Sequence, residues 1–279
     1  MQADIVIIGA GPAGLSLAGV LARKGLKIAI IDPAGADDLE QPRDDCREIA
    51  LTRLSRELLE QWRQWQLLPD TDYAPLVEAQ VFDGASERPM QIQSRNGLDP
   101  LGWMVSNQAL RRVAYAAAKD LDGIAWHLSR RMNRIDINED AARVELDDGS
   151  CITARLTIAA DSRFSSARRA AGLSARMHDF GRTMLVCRMQ LQKPVPGVAW
   201  EWLDYGQTLA LLPLNADMAS VVITLPPAET ERLCALPAHE FEIEVERRFR
   251  HRLGSMRLIG NRYPYPLVGV RPDNIVSRR

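Results

Sequence analysis

The chain opens on hydrophobic runs punctuated by glycine. Asp4-Ile5-Val6-Ile7-Ile8 is almost wholly apolar, the pattern of a strand buried on both faces. It runs into Gly9-Ala10-Gly11-Pro12-Ala13-Gly14, and residues 15–22 then continue as an apolar helix. Ile28-Ala29-Ile30-Ile31 repeats the buried-strand pattern and ends on Asp32. Residues 35–45 are polar and contain proline, which predicts a loop. Across 47–65, Ile49, Leu51, Leu54, Leu58, Leu59 and Trp62 recur at helical spacing and predict a helix. Val81-Phe82-Asp83-Gly84 and Met90-Gln91-Ile92 are short and flanked by turn residues, so both predict strands.

Val105-Ser106-Asn107 opens a predicted helix to Lys119, with Leu110, Val113, Ala114 and Ala117 on its apolar side. Four short strands follow at 124–127, 132–137, 142–146 and 151–159, the last two joined as a hairpin by Asp147-Asp148-Gly149. Residues 165–171 predict a short helix. From 176 to 266 the pattern is mostly β, at 184–191, 200–203, 208–212 and 221–225, with a charge-rich helical stretch at 228–253. The pattern as a whole predicts an α/β chain. A Rossmann-like βαβ domain with a parallel sheet (1–75 and 105–175, resumed at 267–279) is interleaved with a mostly antiparallel β-sheet domain (76–104 and 176–266).

The start of the chain carries specific chemistry. Strand, G-x-G-x-x-G, helix, second strand and terminal acid together form a dinucleotide-binding fingerprint. Gly9 makes the tight turn, Gly11 lets the backbone approach a pyrophosphate, and Gly14 lets the helix pack on the sheet. The N-terminus of the helix that follows offers free N–H groups and a partial positive charge to phosphates. Asp32 is placed to accept hydrogen bonds from ribose hydroxyls. The plainer alternative is that these glycines serve only a βα turn.

Composition narrows the field. The chain has 279 residues, 46% of them hydrophobic, and a net charge of −1, so it offers no electrostatic footprint for nucleic acid. Cys46, Cys151, Cys187 and Cys234 are scattered without zinc-site spacing, which fits a reducing compartment and no metal centre. No apolar run approaches the roughly 20 residues that span a bilayer. The fingerprint strand begins at residue 4, so no signal segment is expected and the protein is expected in the cytoplasm. There is no Ser/His/Asp or Cys/His constellation. His127 and His178 are assigned no role, and no catalytic residue is identified. Trp200 and Trp202 fit either a ring pocket or a strand core.

Three further motifs follow the fingerprint: Asp45-Cys46-Arg47-Glu48-Ile49-Ala50-Leu51, Ala160-Asp161-Ser162-Arg163-Phe164-Ser165-Ser166-Ala167-Arg168 and Leu211-Leu212-Pro213-Leu214. In this order, and with Trp103-Met104-Val105-Ser106-Asn107, the chain resembles the FAD-dependent aromatic-ring hydroxylases, and within them the branch acting in ubiquinone biosynthesis. The resemblance implies a flavoprotein monooxygenase that uses NAD(P)H and O2, through a flavin C4a-hydroperoxide, to hydroxylate a phenolic or polyprenylated ring. It implies that Gly9, Gly11, Pro12, Ala13 and Gly14 hold the FAD pyrophosphate and Asp32 the adenosine ribose. Arg47 would reach the flavin cofactor and Asn107 would contact FAD from the helix start; Asp161 would help FAD and NAD(P)H engage, and Arg168 matches the arginine that closes the same motif.

The ordinary alternatives are a solvated arginine at 47, an N-cap at Asn107, a helix cap at Asp161 and a charged face at Arg168 and Arg169. The resemblance also allows peripheral contact with the inner membrane and association with other quinone-biosynthesis enzymes. Two departures stand out. Asp161-Ser162 replaces the family's Asp-Gly, where a positive φ would strain a serine. A third family motif, Gly-Asp-Ala-Ala-His with a helical tail, is expected beyond Arg279, so the chain is expected to be a C-terminally truncated form. The competing functions are a FAD-dependent reductase or dehydrogenase, and a non-catalytic flavoprotein fragment.

Overall fold

The structure is a computed structural model that describes residues 1–94, 99–138 and 140–277. Three sheets organise it. The first has six strands: β1 (Gln2–Ile8), β2 (Ile28–Asp32), β8 (Ile124–Leu128), β9 (Met132–Ile137), β10 (Ala142–Leu146) and β11 (Cys151–Ala159), in the order β8-β2-β1-β11-β10-β9. The pairs β8-β2, β2-β1 and β1-β11 are parallel, while β10 runs antiparallel to both neighbours.

β1 reads as an unbroken apolar run because both of its faces are covered. Ile5 and Ile7 pack under α1 (Pro12–Ala22) and α4 (Asn107–Ala116), alongside Leu15, Ala18 and Ala114. Val6 and Ile8 face the other way, against Val144, Ile152 and Ala167 of α5 (Ser166–Ala170).

The second sheet has seven strands: β5 (Glu78–Asp83), β6 (Met90–Gln93), β12 (Ala175–Leu191), β13 (Val198–Asp204), β14 (Gln207–Pro213), β15 (Met218–Leu225) and β16 (Met256–Pro272). Their order is β16-β12-β15-β14-β13-β5-β6, antiparallel except for β13-β5. One face is sealed by α6 (Pro227–Ala235) and α7 (Ala238–Arg248), whose Leu233, Phe241 and Val245 meet Leu185, Leu209, Leu211, Val221 and Ile223. Trp200 and Trp202 both lie in this core. Trp202 is 1% exposed, stacks at a tilt on Phe82 and donates Nε1–H to Gly84 O at 2.9 Å, so it is a packing residue rather than a pocket wall.

The third sheet joins β3 (Glu48–Thr52), β4 (Tyr73–Leu76) and β7 (Gly102–Ser106) in the order β3-β7-β4. Here the structure corrects the helix predicted from Arg47. Residues 48–52 form a strand antiparallel to β7, and the helix α3 (Arg53–Gln61) starts only at Arg53, with the Thr52 side chain accepting Ser55 N–H as its cap. Ile49 and Leu51 are two apart, the spacing of a strand face, while Leu51 and Leu54 also fit the helical repeat that follows. Pairing with a strand over fifty positions away decides the outcome. The predicted loop at 35–45 also holds a short helix, α2 (Ala36–Glu40), entered from Gly35 and buried through Leu39. All four cysteines are free thiols. Among the described residues no helix is long and apolar enough to cross a membrane.

Candidate cofactor site

The fingerprint glycines are fixed by close contacts and by open space. Gly9 has φ +112°, and a Cβ there would lie 2.4 Å from the Ala160 carbonyl oxygen. A Cβ on Gly14 would lie 2.1 Å from Gly9 O, which is the close helix–sheet approach expected of it. Gly11 is different: nothing lies within 4 Å of its would-be Cβ. Its bare backbone borders a cleft of about 500 Å³ shared with Gly9, Asp32, Arg130, Arg131 and Asp161. Gly11 is the N-cap of α1 and Pro12 its first residue. The following N–H groups of Ala13 and Gly14 therefore belong to an unsatisfied helix start. This open cradle at a helix N-terminus fits a pyrophosphate.

Asp32 closes the same cleft at the end of β2. Its Oδ2 accepts Ala10 N–H at 2.6 Å and its Oδ1 accepts Ala34 N–H at 2.8 Å. These two bonds fix the carboxylate and leave further lone pairs toward the cleft, since each oxygen can accept more than one donor.

Asp161 serves partly as a cap. Its Oδ2 accepts from Ser166 Oγ and Ala167 N–H, both at 3.0 Å, at the start of α5. Its Oδ1 is buried with no partner. Ser162 next to it has φ +80°, the left-handed conformation that a glycine would take without strain. Arg168 is set apart from the other predicted residues. Its side chain borders a neighbouring groove of about 450 Å³ with Ile135, Leu156, Ile158 and Val270, and its Nε is buried without a partner.

Arg47 and Asn107 meet in a second cluster. Ser106, not Asn107, caps α4, accepting Ala109 N–H at 3.0 Å. Asn107 is the first helical residue, and its Nδ2 donates to Asp45 Oδ2 at 2.8 Å while its N–H donates to Arg47 O at 2.8 Å. Arg47 binds the same Asp45 oxygen through Nε (2.9 Å) and Nη2 (2.6 Å), and its guanidinium lies over the Tyr265 ring. Burial pushes the Asp45 carboxyl pKa up, but the hydrogen bonds from Arg47 and Asn107 outweigh it and hold the group below its ordinary value.

The sequence reading missed Asp45 as a hub. It also missed Tyr265, whose hydroxyl donates to Asp45 O at 2.7 Å from 220 positions away. Cys46, between Asp45 and Arg47 in the chain, takes φ +55° and is buried, which pushes its thiol up to about 11.

A buried ion-pair network anchors this cluster to the large sheet. Arg188 of β12 donates to Asp44 at 2.6 Å and to Glu48 at 2.9 Å. Glu48 is almost fully enclosed, and burial raises its carboxyl pKa despite the pull of Arg188. Burial works against the Arg188 charge too, yet Glu48 and Asp44 more than compensate and raise its pKa. The only signal for this network in the sequence is the acidic run around Cys46, which carries no partner information.

The family model described as "FAD binding domain" matches residues 2–258. Ubiquinone hydroxylase UbiM of Neisseria meningitidis is 37% identical over all of this chain, and ubiquinone hydroxylase UbiL of Rhodospirillum rubrum is 31% identical over 99% of it. The chain spans 62% and 64% of the length of these two curated relatives. The crystal structure of PqsL, a probable FAD-dependent monooxygenase from Pseudomonas aeruginosa, superposes with a TM-score of 0.75 at 18% identity, covering 93% of this chain and 73% of that one, and so shares the fold. The chain belongs to the FAD binding domain family.

Proposed function

We propose that this chain is the cofactor-holding and ring-binding part of a FAD-dependent monooxygenase that hydroxylates a phenolic, polyprenylated ring in ubiquinone biosynthesis. NAD(P)H and O2 are its co-substrates. The observation that carries the reading is the open backbone at Gly11 on a cleft bounded by Asp32, in a chain 37% identical to a ubiquinone hydroxylase.

In this reading Gly9, Gly11, Pro12, Ala13 and Gly14 seat the FAD pyrophosphate at the start of α1, and Asp32 accepts the adenosine ribose hydroxyls. Arg47 and Asn107 are oriented by Asp45 toward the flavin end. The free Oδ1 of Asp161 accepts a donor from the bound cofactor. Arg168 steadies the edge of α5, where NAD(P)H would approach. FAD, when bound, supplies the redox and oxygen chemistry. The protein's part is to hold and orient the ring and to exclude water. A polyprenyl substrate would bring the protein to the membrane surface, where partner enzymes of the pathway would also meet it.

The test is oxygen-coupled NAD(P)H oxidation by the FAD-loaded protein with and without a short-chain prenyl phenol. Stimulation by the phenol, with one oxygen atom added to the ring, is expected. NAD(P)H oxidation indifferent to the phenol and without ring product would overturn the reading in favour of a reductase. Failure of the folded chain to hold FAD would overturn it in favour of a non-catalytic fragment.

A further inference from the structure

Three parallel strands of the first sheet lie side by side in the order β8-β2-β1. At their carboxyl ends, β1 leads into the Gly9–Gly14 turn, β2 ends on Asp32, and β8 ends on Leu128, which pairs with Asp32. Neighbouring strands are about 4.8 Å apart, so the turn after β8 sits roughly 10 Å across the sheet from the turn after β1, with Asp32 between them. A nucleotide carries its phosphates, its sugar and its base in that sequence. With a pyrophosphate at Gly11 and a ribose at Asp32, the base falls at the turn after β8.

That turn is tied to the Asp32 end by its backbone. Ser129 N–H donates to Ala34 O at 3.0 Å, and Arg130 N–H donates to Asp32 O at 3.1 Å. Arg130 borders the same cleft of about 500 Å³ as Gly11 and Asp32, together with Pro33 and Met132. Its guanidinium is held at the edge: Nε lies 2.8 Å from Asp148 Oδ2, and Nη1 donates to Ser129 O at 3.3 Å. Asp148 is set in turn by its hairpin, where its Oδ1 accepts Ser150 N–H at 2.9 Å and the Ser150 hydroxyl at 2.6 Å. Hydrogen bonds to a guanidinium lie in its plane and leave its faces open. An ion pair as exposed as this one adds little to stability, whereas a planar cation of fixed orientation is suited to stack on a flat ring.

We propose that Arg130, held by Asp148, stacks its guanidinium on the adenine of the bound dinucleotide and so gives the cleft its preference for an adenine-bearing flavin. Arg130 is the residue in contact with the cofactor, and Asp148 is a positioning residue that acts through it. The proposal rests on the cofactor part of the reading above. It is independent of whether a ring is hydroxylated.

The experiment measures, by calorimetry on the full chain freed of flavin, the binding of ADP and of ribose diphosphate, which has the same sugar and phosphates without a base. The ratio of the two affinities isolates the base, and the thermal midpoint controls for folding. Wild type is expected to prefer ADP at least about tenfold, as stacking of one base allows. Arg130→Ala should lower that preference roughly fivefold, and FAD affinity by the same factor. Arg130→Lys keeps the charge but not the plane and should recover little. Asp148→Asn keeps an oxygen for Ser150 and removes the charge that holds Arg130. It should lower the preference about two- to threefold, the cost of ordering a released side chain, with a thermal midpoint close to wild type. Arg131→Ala, at the neighbouring cleft residue, should weaken ADP and ribose diphosphate alike if at all.

No ADP preference in wild type, an unchanged preference in Arg130→Ala, full recovery in Arg130→Lys, or a preference lost in Arg131→Ala instead overturns the proposal. An unchanged preference in Asp148→Asn overturns the positioning role of Asp148. If Arg130→Ala fails to fold, Arg130→Lys and Asp148→Asn decide. A folded wild type that binds neither ADP nor FAD overturns the proposal and the cofactor reading together. A preference lost in Arg130→Ala, in a protein that hydroxylates no phenol, keeps Arg130 on the base and overturns the hydroxylase reading alone.

Discussion

The glycine turn at 9–14 and the Asp45 cluster are built by opposite means. The first draws on six consecutive residues, 9–14, in which a Cβ at Gly9 or Gly14 would come within 3 Å of backbone while Gly11 faces open space. The second gathers Asp45, Arg47, Asn107 and Tyr265 from three separate elements, through side-chain hydrogen bonds spanning up to 220 positions. A site written in backbone geometry tolerates almost no added atom. A site written in side chains tolerates substitution of one member at a graded cost, because water can replace an exposed partner.

The sharpest way to break the comparison is a single methyl group. Gly9→Ala places a Cβ against Ala160 O at φ +112°, so strain and overpacking together should cost about 3–5 kcal/mol and abolish FAD retention. Gly11→Ala meets no atom within 4 Å. It should change stability by less than about 0.5 kcal/mol yet weaken FAD at least roughly tenfold, since the methyl would project into the cleft. Thermal unfolding and FAD titration of the pair separate the two effects. Equal destabilisation by both substitutions would show that the open space at Gly11 is not a ligand cradle.

Arg188→Met tests the tie between the cluster and the large sheet. Removing the cation leaves Glu48 enclosed and unpaired, a loss of roughly 3 kcal/mol at neutral pH. The sign with pH follows from Glu48. Its folded pKa already lies above the ordinary 4.5 and rises further without Arg188, so the variant takes up a proton on folding. Its deficit should therefore shrink as pH falls from 7 toward 5, measured as the difference in unfolding free energy from wild type. A deficit that grows on acidification would contradict this account.

Asp45→Asn should cost less, about 1 kcal/mol, because Arg47 is half exposed and water can take the place of the lost acceptor. Asp45 has a folded pKa below its ordinary 3.8, so its contribution is present above that value and disappears as pH falls through the folded one. Wild type and variant should thus differ at pH 7 and converge in strong acid. The variant should also release Arg47 and weaken FAD several-fold without touching the Gly9–Gly14 turn.

What could be read from the chain follows the same division. The βαβ start was legible because strand, glycine turn, helix and Asp32 are contiguous, and each constraint is local. The hairpin at Asp147-Asp148-Gly149 was legible for the same reason. The strand at 48–52 was not, because its partner lies at 102–106 and its apolar spacing also fits the helix that follows. Helix α2 was hidden in a short polar segment with one buried anchor, Leu39. Asp45 and Tyr265 became partners only through the folding of β16 back onto the 44–48 segment. Periodicity reports which face is apolar, but not which polar residue is stranded on it.

Ser162 offers the smallest and cleanest way to sharpen the comparison, because it is the one place where the backbone-written site departs from its own rule. At φ +80° a serine pays the left-handed penalty of about 1–2 kcal/mol that glycine avoids. Glycine in turn loses more freedom on folding, which offsets about 0.5–1 kcal/mol of that gain. Ser162→Gly should therefore stabilise the protein by roughly 0.5–1 kcal/mol, read as a raised thermal midpoint. The serine hydroxyl is not among the groups holding Asp161, whose Oδ2 is bound by Ser166 and Ala167. The α5 cap and the cleft beside Asp161 should persist, and FAD affinity should hold or improve. A loss of stability on Ser162→Gly would mean that the serine side chain makes a compensating contact worth more than its strain, and that this turn is held by side chains like the Asp45 cluster.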